Sequence, residues 1–370
     1  MLTSLEISDF KCFGSLRLEF KPLTLLTGFN SGGKSTALQP LLLLAQALRQ
    51  SSFPTKRFPL NGPLVRLGSV SDILPANNPE PKLAFEVATA SEVRSWVLGA
   101  RAGERALRFE GSEGIETEPY QEESAISVIK CLAQLQFLSA TREGTPDSFP
   151  TPDTESRAYR NVGVDGQYAP FEYEKFADDE VAEARRHSCE SASSLRKQVD
   201  AWMAHLFPGA QANVQYFSQL NLLGLQFRSS SIGDWRRPAN VGYGFSYAFP
   251  LVVALLTARD GQTIVVDSPE AHLHPSAQSA MGKMLAQFAA AGVQIIAETH
   301  SDHLLNGVRI AIKSEAIKHQ LVQFHFFSGV TESGHGVLAP RVDQEGQIYE
   351  WPEGFFDQSE KDLIRIAGWA

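Results

Sequence analysis

Apolar residues arrive in short bursts over the first 28 positions. "SLEISDF" (4–10), "SLRLEF" (15–20) and "LTLLTG" (23–28) are rich in Leu, Ile and Phe and are separated by Gly or Pro, which predicts three strands. From Lys34 to Arg49 the pattern predicts a helix, with Pro40 as its one breaker and a kink or irregular turn expected there. Residues 51–63 hold three prolines and a glycine and predict a loop. From about 81 to 111, "KLAFEVATA", "RSWVLGARA" and "RALRFEG" predict a strand meander. "QLQFLSA" (134–140) predicts another strand, followed by a polar stretch over 141–172. Residues 174–206 are strongly charged and predicted mostly helical, and "NLLGLQFR" (221–228) reads as a strand.

A glycine-rich turn at 240–245 opens an apolar helix, "FSYAFPLVVALLTA" (245–258). Beyond 262 the pattern alternates: strand 263–267, helix about 275–290, strand 293–298, helix about 301–313, strand 321–327. That alternation implies parallel βαβ units and an α/β fold. The sheet is split in sequence, which predicts three parts: a core segment at 1–50, an inserted lobe of β-meander and charged helices at 51–235, and the rest of the core at 236–370. No heptad array marks a coiled-coil arm.

Composition narrows the function. Hydrophobic residues make up 43% of the 370, ample for a large core, and the net charge of −9 argues against wholesale polyanion binding. Nucleic acid remains open only through local basic residues: Arg185, Arg186, Arg196, Lys197, Arg236 and Arg237. Three widely spaced cysteines, Cys12, Cys131 and Cys189, indicate neither a disulfide framework nor a CxxC metal site. The charged N-terminus does not read as a secretory leader, and "PLLLLAQAL" (40–48) and 245–258 fall short of the roughly 20 residues a spanning helix needs. A soluble, cytoplasmic protein is expected.

"GFNSGGKST" (28–36) carries the chemistry. It fits G-x-x-x-x-G-K-[ST] with Gly28, Gly33, Lys34 and Ser35, after a strand and before a helix. Glycines let backbone N–H groups wrap a phosphate, the helix N-terminus adds positive potential, and Lys34 suits the β/γ-phosphates. Asn30, Ser31, Gly32 and Thr36 complete the loop. Ser35 offers a hydroxyl and Asp267, closing the strand "TIVVD", a carboxylate, the hard oxygen ligands Mg²⁺ prefers. A nucleoside triphosphate with Mg²⁺ is the expected ligand. No motif reads the base, so ATP and GTP stay undistinguished.

These motifs resemble a family. "ISDFKCFGSLRLEFKPLTLLTGFNSGGKST" is similar to the N-terminal lobe of ABC-type ATPases of the RecF, Rad50 and SMC group. "VVDSPEAHLHP", "QIIAETHSDHLLNGVR" and "WPEGFFDQ" resemble stand-alone prokaryotic ATPases related to the overcoming-lysogenization-defect group, many of them in anti-phage defence operons. The resemblance covers about 1–50 and 240–358; the middle matches only in pieces such as "VRLGSVSDIL" and "VGVDGQYAP". It implies that His300 is the switch histidine contacting the γ-phosphate. It also implies that Gly242, Gly244 and Ser246 lie in a signature-like loop facing the opposite subunit's nucleotide. Two ATPs would then be sandwiched in a head-to-tail homodimer.

Such ATPases place a glutamate directly after the metal aspartate, where this chain has Ser268. A serine takes no proton at neutral pH, so three readings stand: Glu270 activates water, Glu298 does, or no base exists. Phosphoryl transfer rests largely on positioning and charge neutralisation, so slow, partner-gated hydrolysis with Glu270 as helper is favoured. His272, His274, His300 and His303 invite a zinc reading, but the resemblance puts the "HLHP" histidines in a turn leading to the dimer interface. No nuclease constellation is visible, so a separate protein effector, encoded nearby, is expected to act under ATP control. A non-hydrolysing scaffold that sequesters a toxin and a DNA-repair ATPase are the alternatives.

Overall fold

Alternating burial sets the N-terminal strands. In β1 (Leu2–Phe10) the buried residues are Leu2, Leu5, Ile7 and Phe10; in β2 (Phe13–Glu19) they are Phe13, Leu16 and Leu18. The two pair antiparallel, with Phe10 opposite Phe13. β3 (Leu23–Gly28) is buried on both faces from Leu23 to Thr27, as a strand covered on both sides must be. It leads into α1 (Lys34–Gln50), which runs unbroken through Pro40 in place of the irregular turn expected there. Leu41, Leu43, Leu44 and Ala45 are fully buried around that proline, so packing outweighs its missing N–H.

β4 (Arg57–Pro59) is a short strand within the segment expected to be loop. Among the described residues it pairs only with β7, and an edge position tolerates Pro59. β5 (Ala84–Thr89), β6 (Val93–Gly99) and β7 (Ala106–Phe109) form the expected meander, giving a sheet of order β2-β1-β5-β6-β7-β4. α2 (Val128–Ala133) follows, capped by the Ser127 side chain.

Next come β8 (Gln136–Leu138), β9 (Phe149–Pro150), α3 (Ala169–Lys175), α4 (Leu195–Leu206), β10 (Gln211–Phe217) and β11 (Leu222–Arg228). α5 (Tyr243–Thr257), β12 (Thr263–Asp267), α6 (Pro275–Ala290), β13 (Gln294–Glu298) and α7 (Asp302–Lys313) complete this stretch. β8 and β13 flank β12, all three parallel, and β12 and β13 are joined through α6 in a βαβ unit. The chain closes with β14 (Val322–Thr331), β15 (Gly334–Leu338), β16 (Arg341–Val342), β17 (Ile348–Tyr349) and α8 (Gln358–Ile366). β14 runs parallel to β3, with Phe327 opposite Gly28.

The computed structural model describes residues 1–50, 57–75, 81–101, 103–110, 127–142, 144–153, 160–331 and 334–367. By contacts the chain divides into two units, one of Met1–Leu135, Val322–Asp343 and Gln347–Ala370, the other of Gln136–Leu321 and Gln344–Gly346.

One difference from the sequence pattern is local. The charged stretch "DDEVAEARRH" is not a helix but an irregular segment with one 3-10 turn, Glu183–Arg185. The chain doubles back there: Val181 N–H donates to Ser193 O, and Leu195 N–H to Asp179 O. Arg185 is buried against the Ala258 carbonyl and Asp260, while Trp202 Nε1 donates to Arg185 O at 3.0 Å. Those tertiary partners override helix propensity. Among the described residues the longest helix, α1, has 17 residues, so no coiled-coil arm is present, and none is long and apolar enough to cross a membrane.

Candidate functional site

The loop between β3 and α1 is shaped by backbone that only certain residues tolerate. Gly28 and Gly33 have φ of 128° and 101°, and Ser31 lies at 62°. A Cβ on Gly28 would sit 2.2 Å from the Phe327 carbonyl oxygen, and one on Gly33 2.5 Å from the Phe13 ring. Glycine is therefore required at both positions. The Gly32 N–H donates to Phe29 O at 3.1 Å, closing the loop. Lys34 is buried, and its Nζ donates to Gly28 O at 3.1 Å and Phe29 O at 2.8 Å. Asn30, Ser31 and Ser35 are exposed and Thr36 half-buried. A strand end, a glycine loop with left-handed turns and a helix N-terminus fit the triphosphate that the sequence motif implies.

The second half of the motif set lies at the ends of β12 and β13. Asp267 and Glu298 are register partners at the strand ends, so a second acid does stand beside this aspartate, on the neighbouring strand. The Ser268 hydroxyl donates to Asp267 Oδ1 at 2.8 Å, and its N–H donates to Glu298 O at 2.9 Å. Ser268 therefore steadies Asp267. With φ of 49° it also turns the chain sharply after the strand. Two residues on, Glu270 is buried and its Oε1 accepts from the His300 N–H at 2.8 Å, while Oε2 is buried without a partner. Burial raises the Glu270 pKa above the usual carboxylate value; hydrogen bonds from the His300 and Glu270 N–H groups and the Thr299 hydroxyl, and the nearby Arg142 charge, hold it down in part. His300 itself is exposed, and Ser301 caps α7 through Leu304 N–H.

At the start of α5, Gly242 is the exposed N-cap, whereas Gly244 and Ser246 are buried. A Cβ on Gly244 would come 3.0 Å from the His272 carbonyl oxygen, so this glycine lets α5 approach the turn after β12. The Ser246 Oγ is buried without a partner. Among the other histidines, the His272 ring lies 4.5 Å from the Tyr247 ring, and His274 caps α6 through Ser276. Among the described residues no cluster of three or more His, Cys, Asp or Glu is arranged to hold a metal ion. Several of the basic residues are engaged: Arg186 with Glu180 at 2.6 Å, Arg196 with Glu174 at 3.5 Å and Arg237 with Asp147 at 3.4 Å.

Sequence reading passed over Arg142, which is buried and donates to the Asp267 carbonyl at 2.8 Å. Its signal was its place, four residues past a strand, in "SATRE".

Phosphate loop, strand-end aspartate and α/β framework together define a P-loop ATPase of the ABC type, similar to SMC heads. Residues 23–306 match the family described as "AAA domain, putative AbiEii toxin, Type IV TA system", well over half the chain, and the protein belongs to that family. Residues 317–366 match a second family, described as a protein of unknown function (DUF3696). No curated protein matches. Among solved structures, an SMC head bound to the C-winged helix domain of ScpA is similar at 15% identity and a TM-score of 0.50, over 93% of this chain and 98% of that one. The SMC head domain from Thermotoga maritima is 14% identical over 91% of this chain and 98% of its own, with a TM-score of 0.43.

Proposed function

We propose that the protein hydrolyses ATP slowly, as a head that pairs with a second copy around two ATP–Mg²⁺ and so controls a partner effector. The observation that carries this is Glu270: a buried carboxylate with one oxygen anchored by the His300 N–H and the other without a partner, its pKa raised by burial above the usual carboxylate value. Those are the properties of a general base. Glu298 is the second candidate. The phosphate loop 28–36 binds the nucleotide through backbone N–H groups and Lys34, and Mg²⁺, when bound, neutralises charge developing on the phosphates. Ser35 and Asp267 supply the oxygen ligands it prefers, and His300 marks the γ-phosphate. The exposed N-terminal turn of α5 at Gly242, with Gly244 and Ser246 beneath it, is the surface offered to the partner's nucleotide.

On this reading residues 1–50 and 236–370 form the ATPase core and 51–235 the inserted lobe. An effector partner is in keeping with an SMC head of the same fold bound to ScpA, and a defence role in a cytoplasmic setting with the toxin–antitoxin wording of the family description. The ion-paired arginines do not favour a nucleic-acid surface. Single-turnover phosphate release tests the proposal. The wild-type chain should release phosphate with a rate that rises with pH through the Glu270 pKa, and Glu270→Gln should slow release about 100-fold or more while retaining ATP. An unchanged rate would transfer the role to Glu298. No release from the wild type, even with its partner, would leave an ATP-dependent scaffold.

A further inference from the structure

The turn that carries Glu270 is backbone under strain. Ser268 and His272 both hold positive φ, 49° and 61°, conformations that cost non-glycine residues on the order of 1–3 kcal/mol unless the surroundings hold them. Few local bonds do so: Ala271 N–H donates to Ser268 O at 3.1 Å, and Leu273 N–H to Glu270 O at 3.1 Å. From outside the turn, Glu298 O accepts the Ser268 N–H, the His300 N–H holds Glu270 and the Gln278 amide holds Leu273 O, and Arg142 adds its contacts to the two peptides that open the turn. β8 lies parallel beside β12 with Leu138 opposite Val266, so the chain leaving β8 runs past the turn leaving β12. The Arg142 side chain, 4% exposed, enters there.

Its Nη2 donates to the Asp267 carbonyl at 2.8 Å and the Ser268 carbonyl at 3.3 Å, and its Nη1 to the Tyr247 carbonyl on α5 at 3.4 Å. We infer that Arg142 is a positioning residue for hydrolysis: its guanidinium pins the two peptides that open the turn, ties them to the first turns of α5, and so fixes where the Glu270 carboxylate stands. This inference rests on Glu270 being the base.

The chemistry selects arginine over lysine. Three acceptors on two separate elements are met by one planar fork, which a single ammonium on a flexible stem does not reproduce. The buried charge has a second effect. Desolvation pushes the Arg142 pKa down to about 10, so it remains a cation at neutral pH. That cation faces the Asp267 and Glu270 carboxylates and the Tyr247 phenol, and it works against the burial that raises Glu270. Removing it frees the turn and makes Glu270 harder to ionise. The link to α5 also gives the helix bearing Gly242 a direct mechanical hold on the hydrolytic turn.

Arg142→Met and Arg142→Lys, made in the full chain, test this through three readouts: the pH profile of kcat, binding of a non-hydrolysable ATP analogue, and amide hydrogen exchange over residues 267–273. In Arg142→Met, kcat should fall on the order of 100-fold, the cost of a misplaced reacting group. Analogue affinity should stay within about twofold and the acid limb of the profile should move to higher pH, because the base loses its neighbouring cation. Arg142→Lys keeps the charge and should return the limb to the wild-type position without restoring the rate; this variant also decides the matter should the methionine form fold poorly. Exchange at the turn should quicken in both. A wild-type kcat and limb in Arg142→Met would overturn the inference, as would a rate loss matched by lost analogue binding with the limb in place. If the wild-type chain hydrolyses no ATP, the Glu270 reading fails, and unchanged exchange at the turn would separately refute Arg142 as its clasp.

Discussion

Replacing Gly28 by alanine probes the phosphate loop at its tightest point. The residue sits at φ 128°, a region open to glycine and strained for any L side chain, which costs about 1–3 kcal/mol by itself. The added methyl would also lie 2.2 Å from the Phe327 carbonyl oxygen and 2.7 Å from its nitrogen. That neighbour cannot step aside cheaply, because Phe327 is the register partner of Gly28 in the parallel β3–β14 pair. Together the two effects should cost about 3 kcal/mol. The loss falls on folding if the loop keeps its shape, and on ATP binding if it does not; in binding it corresponds to about 100-fold in affinity. Denaturant unfolding and titration with a fluorescent ATP analogue, on the same preparation, capture both. Gly14→Ala is the control: a Cβ there meets nothing within 4 Å, so it should stay within about 0.5 kcal/mol of wild type. A Gly28→Ala protein matching wild type in both assays would refute the account of why this loop is built from glycine.

Two further substitutions follow from the same geometry. Lys34→Ala should abolish ATP binding and ATP-dependent pairing together, read by analogue titration and analytical ultracentrifugation, since its Nζ is the one side-chain cation of the loop. Gly282→Ala should destabilise the chain by about 3 kcal/mol in denaturant unfolding, because its Cβ would come 2.2 Å from the Leu304 carbonyl oxygen where α6 packs on α7; ATP affinity should hardly change.

The strand–loop–helix shape of the phosphate loop was legible in the sequence, and for a physical reason. A phosphate loop has to be written contiguously, so strand, glycines, lysine and helix all fall within "LTLLTGFNSGGKST". The βαβ alternation from Thr263 to Lys313 was equally clear because β12 and β13 are short runs buried almost throughout, separated and followed by longer helices that bury only part of their residues. The task of Ser268 was not legible. Its identity suggested a missing base; what the sequence did not show is that its hydroxyl donates to Asp267 Oδ1 and that its left-handed backbone turns the chain after β12. Arg142 lies 125 residues from Asp267 along the chain, a separation at which no local pattern reports contact. The segment around Arg185 misled for the opposite reason: charges spaced like a helix were decided by a buried guanidinium and the Trp202 indole. The "WPEGFFD" stretch was visible only as a resemblance, yet Phe355 is buried against Phe326 and Trp351, and Gly354 approaches Phe29 of the phosphate loop.

The most direct test of ATP-driven pairing is the solution mass of the Glu270→Gln chain with Mg²⁺ and excess ATP, measured by sedimentation. With turnover blocked, the sandwich should persist, giving a species of twice the chain mass that reverts to the single chain when ATP is removed or Lys34 is changed to alanine. A single chain carrying bound ATP, with no concentration dependence, would contradict the account.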